Sequence, residues 1–289
     1  MWLLLALGSA FFAALVSVLG KKGLVGVSVT VATAIRSAVA LVLAWIVVLA
    51  TGSAQEIGTL SSTNFWFLIA SGVATGLSWL FYFKSLSLGK VTDVVSVDRL
   101  SLLFTGLFGI LLFGETDNLP VKIVGLLVVV LGTYVLVVKP ANQKDSKSSW
   151  SWLPWALASM SFAVATTLLA KIGLTNVDSN LATAIRTTVV VILAGSVLGK
   201  TNNRESLKTM NARNFFYLAC SGLATGASWL CYFGAIKIGE ISVIAPIDKL
   251  SILFAAALGF WLLGERVSKR ELIGLVLIAV GTLILFIKP

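Results

Sequence analysis

The sequence predicts an all-α integral membrane protein of about ten transmembrane helices, arranged as two inverted repeats of five. Three observations carry that expectation. First, 58% of the 289 residues are hydrophobic and only 12% are charged, against about half and a quarter in soluble domains. Second, apolar stretches near the roughly 20 residues that cross the hydrocarbon core follow one another with short polar breaks. Third, the chain repeats itself at an offset of 150 positions: "VATAIR" at 31–36 lies over "LATAIR" at 181–186, and "SGVATGLSWLFYF" at 71–83 over "SGLATGASWLCYF" at 221–233. Between 71–115 and 221–265, 20 of 45 positions are identical.

The first expected helix, 2–20, is apolar and rich in Ala and Ser, as a secretory signal would be. No basic residue precedes it, and its counterpart recurs at 152–170, so it reads as a retained helix. The second, 29–50, carries Thr30, Thr33, Arg36 and Ser37 on one face. The third, 64–83, holds Gly72 and Gly76, the small-xxx-small spacing that lets membrane helices approach closely. Beside that face run Thr75, Ser78 and Tyr82, with Trp79 between the faces. The fourth, 91–113, carries Asp98, Arg99, Ser101 and Thr105; the fifth, 121–138, ends at Lys139-Pro140.

A polar linker, 141–150, separates the first unit (1–140) from the second (151–289). The second unit repeats the series. The sixth helix is 152–170, and the seventh, 179–198, carries Asn180, Thr183, Arg186 and Thr187. The eighth, 214–235, has Gly222, Gly226, Thr225, Ser228, Trp229 and Tyr232. The ninth, 241–263, contains Asp248, Lys249 and Ser251, and its Pro246 removes a backbone hydrogen bond and favours a kink. The tenth, 272–287, ends at Lys288-Pro289.

An odd number of helices per unit forces the second copy to insert upside down, the architecture of many secondary transporters. The charges agree. Fourteen Lys and Arg fall in the loops after helices 1, 3, 5, 7 and 9, and only Lys122, Lys171, Lys237 and Lys288 on the other side. Excess positive charge marks the cytoplasmic side, which puts both termini outside. The net charge of +10 is therefore a matter of orientation and not of nucleic-acid binding.

Arg36, Arg99, Arg186 and Lys249 stand within expected spans, together with Asp98 and Asp248. Such charges cost roughly 2.5–3.5 kcal/mol each and face a bundle interior or a watery cavity. They form repeat-related pairs: Arg36 with Arg186, Asp98 with Asp248, and Arg99 with Lys249. At 1.5 Å per residue, Arg36 and Asp98 lie at similar depth, roughly 10 Å in, where they could pair; Arg186 and Asp248 would do the same near the opposite face. The two clusters are expected to act as gates or cavity rims. Neighbours on a helix point about 100° apart, so Asp98 is not expected to neutralise Arg99, nor Asp248 to neutralise Lys249. Four basic and two acidic residues favour a substrate with a carboxylate, phosphate or other anionic part, unless Glu115 and Glu265 cancel the excess. The bland reading is that the pairs only lock helices together, with side chains snorkelling to the surface. Thr33, Trp79, Tyr82, Ser101, Thr183, Trp229, Tyr232 and Ser251 are the candidate cavity-lining residues, with anchoring at the membrane interface an equal alternative for the Trp and Tyr pairs.

No catalytic residue, cofactor or metal is expected. There is no histidine, and Cys220 and Cys231 lack metal-ligand spacing and read as small buried hydrophobes. The Gly-x-Ser at 76–78 and 226–228 lacks the second glycine of a nucleophile elbow. No GxxxxGK[ST] loop is present for ATP drive.

With "SGLATGASWLCYFGAIKIGE", "PIDKLS" and "LGE" in view, the chain resembles the EamA family of the drug/metabolite transporter superfamily over both halves. "ATAIR" and "PIDKLS" look most similar to a branch of small single-unit proteins, of which this would be a fused form. The resemblance implies ten helices around a central cavity and the export or exchange of metabolites, although the charges in helices 2, 4, 7 and 9 are not shared by the family at large. Fold likeness does not fix function. The expected partners are a small-molecule substrate, the lipid bilayer of a prokaryotic plasma membrane and a coupling proton or cation, with no nucleic acid, in a monomer or a homodimer. The alternatives are a passive channel or a membrane scaffold, and an intramembrane enzyme is disfavoured.

Overall fold

A computed structural model describes residues 1–88, 91–137, 150–200, 210–263 and 268–285. Glu265, the linker up to residue 149, both closing Lys-Pro pairs and the side chain of Arg99 lie outside the described residues. The described residues are all-helical: α1 (Trp2–Gly23), α2 (Val29–Thr51), α3 (Ser62–Leu88), α4 (Val91–Phe113), α5 (Leu119–Val137), α6 (Leu153–Gly173), α7 (Ser179–Lys200), α8 (Ala212–Ile238), α9 (Ile241–Asp248), α10 (Ser251–Leu263) and α11 (Lys269–Ile284). Among them, seven spans are long and apolar enough to cross a membrane, and Leu100–Phe113 is a shorter apolar helix. Apolar side chains such as Val42, Leu49 and Leu111 point outward, as lipid-facing residues do.

Local chemistry starts and stops these helices. Ser28 Oγ accepts from Val31 N at the start of α2, and Asp178 Oδ1 accepts from Asn180 N and Leu181 N at the start of α7. The turns before them need a left-handed residue, supplied by Gly26 (φ 73°) and by Asn176 (φ 57°), 150 positions later. Ser268 and Glu271 form a reciprocal capping box on α11.

The helices group into two compact units, each drawing on both sequence halves. The first comprises 1–73, 169–239 and 251–265. There α1 packs on α8, α2 on α7 and α8, and α10 on α1. The second comprises 74–168, 240–250 and 266–289, with α5 against α4 and α11, and α9 against α4. Gly125, Gly132, Gly274 and Gly281 bring α5 and α11 so close that an added methyl would lie 2.6–2.8 Å from its nearest neighbour. Close contact of this kind holds membrane helices together, because lipid offers no hydrophobic drive between them.

Contacts recur at the repeat offset. In the first unit Ser228 Oγ donates to the Ser9 carbonyl at 3.1 Å; in the second, Ser78 Oγ donates to the Ser159 carbonyl at 3.1 Å. Asn214 reaches the Val25 carbonyl, and Asn64 reaches the Thr175 carbonyl, both at 2.5 Å.

Three expectations need correction. The ninth segment is not one helix, because it breaks at Lys249 and Leu250, whose N–H groups bond three residues back to Pro246 and Ile247. Lys249 Nζ lies 3.9 Å from Asp248 Oδ2, so these chain neighbours meet although adjacent helical positions point about 100° apart. At the position of Pro246 the first half has Ser96, and α4 runs unbroken. Lys122, counted above as a loop charge, sits in the first turn of α5 and is buried.

Candidate functional site: the two intramembrane arginines

Glycine positions the arginines. A methyl added to Gly72 of α3 would lie 2.9 Å from the Arg186 carbonyl of α7, and one on Gly222 of α8 would lie 2.8 Å from the Arg36 carbonyl of α2. Both helix pairs are thus in backbone contact at the arginine itself. That approach sets the serine and threonine of α3 and α8 beside a guanidinium.

The two arginines nevertheless have different surroundings. Arg186 is 4% exposed, its Nε donates to Ser71 Oγ at 2.7 Å, and its guanidinium lies 3.7 Å from the ring centre of Phe233. The short charge-assisted bond and the cation–π contact together hold it. Arg36 is half-buried; its Nη2 donates to Thr225 Oγ1 at 3.4 Å, and its buried Nε meets no acceptor among the described residues. Ser221, which corresponds to Ser71, donates instead to the Val16 carbonyl at 2.9 Å.

Asp98, Asp248 and Lys249 belong to the second unit, where Ser159 Oγ lies 3.5 Å from Asp98 Oδ1. Arg36 and Arg186 belong to the first.

The candidate cavity-lining residues divide. Thr183 is buried and donates to the Ser179 carbonyl of its own helix at 2.7 Å, and Thr187 does the same to Thr183. Tyr82 packs on the apolar cluster of Val94, Trp152 and Ala156. Tyr232 meets Phe233 edge to face. Thr33, Trp79, Ser101, Trp229 and Ser251 are half-buried.

Sequence reasoning named one charged group of the second unit, Glu115, only as a counter-charge and missed what it does. Glu115 is 7% exposed, and its two carboxylate oxygens accept from Ile241 N and Ser242 N, each at 2.8 Å, at the start of α9. Lys122 lies 2.5 Å from Glu240 and donates to the Glu115 carbonyl. A carboxylate on a helix N-terminus is favoured by the dipole and satisfies orphan N–H groups, so Glu115 is occupied locally. In the first unit, a surface hollow of about 650 Å³ is lined by Glu56, Lys171, Asp178 and Lys237, but Lys171 is spent on the Ile236 and Gly239 carbonyls and Asp178 on the start of α7.

The chain resembles known proteins along its whole length. One curated relative, "Uncharacterized transporter in cobO 3'region" from a Sinorhizobium species, is 42% identical over 137 residues, which are 97% of that protein and 47% of this chain. A solved structure described only as "Crystal structure of protein" matches with a TM-score of 0.79 at 16% identity, covering 98% of this chain and 97% of the other; this is a likeness of fold alone. The model of the EamA-like transporter family matches residues 1–138 and again 150–287. The chain is therefore a multi-pass integral membrane transporter protein belonging to the EamA-like transporter family.

Proposed function

We propose that the chain is a secondary-active transporter of the drug/metabolite type, which exports or exchanges a small polar metabolite carrying an anionic group by alternating access. In this reading ten helices form two inverted five-helix repeats, 1–140 and 151–289, in a prokaryotic plasma membrane. The observation that carries it is the recurrence, 150 residues apart, of the same long-range hydrogen bonds in a chain that matches a transporter family twice. A relative about as long as one half fits the idea of a fused pair of units. Inverted halves that exchange conformations open a site first to one face and then to the other. Arg36 would stand at one gate and Arg186 at the other, with Arg99 and Lys249 adding positive charge and Asp98 or Asp248 carrying a coupling proton.

The test is uptake into proteoliposomes across a metabolite panel with an imposed pH gradient. Saturable flux with counter-exchange supports the reading; flux that never saturates indicates a channel. No flux above empty vesicles, with no ligand raising thermal stability, defeats it.

A further inference from the structure

We propose that Arg36, together with Thr225 and the space left by Gly20, is the contact for the substrate's oxyanion, a carboxylate or phosphate group, whereas Arg186 is a structural strut. This deepens the transport reading and rests on it.

The argument starts from donors. A guanidinium has five N–H donors, and a buried donor without an acceptor costs free energy, so an orphaned one in a native protein calls for a partner. Arg186 has its Nε on Ser71 at 2.7 Å and Phe233 across its face. Arg36 makes one long bond, 3.4 Å to Thr225, while its Nε is buried without an acceptor among the described residues. Thr225 and Ser221 are each held by a bond to a carbonyl, of Ser221 and Val16 respectively, and neither hydroxyl oxygen accepts from Arg36 Nε.

The neighbouring helix adds a second, steric difference. Beside Arg36 stands Gly20 of α1, where a methyl would lie 4.0 Å from Arg36 Nη1 and 3.5 Å from Ser221 Oγ. The residue 150 positions on, in the half that carries Arg186, is Ala170. At this position the Arg36 half carries one methyl fewer than the other half. An oxyanion would meet the guanidinium's need in charge and in hydrogen-bonding capacity, since carboxylate and phosphate oxygens match its fork.

The test is isothermal titration of the purified full-length protein in detergent with two probes, succinate and inorganic phosphate. At least one should bind saturably, and which one does separates carboxylate from phosphate recognition. Arg36→Gln should weaken binding by about tenfold or more, as expected when a charge-assisted contact is lost. Gly20→Ala adds a methyl at ordinary contact distance, so it should leave the melting temperature unchanged while weakening binding several-fold. If neither probe binds the parent, or if both variants bind as the parent does, the proposal is wrong. Metabolite flux that is equal in parent and Arg36→Gln proteoliposomes also overturns it yet leaves the transport reading standing; absent flux in the parent defeats the transport reading itself.

Discussion

Arg36 and Arg186 occupy the same position in two copies of one sequence, Ala-Thr-Ala-Ile-Arg, and each faces a glycine that lets the next helix touch its carbonyl. One is sealed by Ser71 and Phe233; the other is half-buried with a donor to spare. Repetition of sequence therefore fixes where an arginine stands in the helix packing but not what its side chain does. The difference lies in the serines: Ser71 accepts from Arg186, whereas Ser221 donates to the Val16 carbonyl.

The largest effect is expected where the two ends are alike. Gly72→Leu and Gly222→Leu would each drive a side chain into a facing backbone carbonyl, and overpacking of this kind costs about 1–3 kcal/mol or more. Both variants should lose monodisperse protein on size-exclusion chromatography. An effect at only one of the two would show that the ends differ in backbone packing as well.

Next comes the contrast itself. Arg186→Met should destabilise the solubilised protein by about 2–3 kcal/mol, because it removes a charge-assisted hydrogen bond and a desolvated cation–π contact. Arg36→Met should cost less than about 1 kcal/mol, since one long hydrogen bond is lost and an orphaned donor is relieved. Thermal melts of the two variants side by side measure the difference, and equal melting temperatures would erase it.

The smallest effect separates the serines. Ser71→Ala should cost about 1 kcal/mol and be non-additive with Arg186→Met in a double-mutant cycle. Ser221→Ala and Arg36→Met should simply add, because Ser221 bonds Val16 and not Arg36.

Much of this fold was legible. The apolar runs locate the helices because membrane helices must satisfy their own backbone, and the glycine spacing foretold the close approach at Gly72, Gly222 and Gly226. Pro246 marked the weak point of the ninth segment, and the break falls three residues later.

The site was less legible, because hydroxyl and carboxyl groups have local partners that periodicity does not reveal. Thr183 and Thr187 share a helical face with Arg186 yet bond their own backbone. Glu115 reads as a charge available to balance the arginines, but it caps α9. Ser71 and Phe233 were findable, since the repeat has Ser221 and Phe83 at the matching positions.

The most direct measurement of the split between the arginines is phenylglyoxal modification of the native protein in liposomes, followed by peptide mapping. Arg36 should be modified, and protected by whichever oxyanion binds, while Arg186 should stay unmodified under Ser71 and Phe233. Equal modification of both, or an Arg36 that is never modified, would contradict the account.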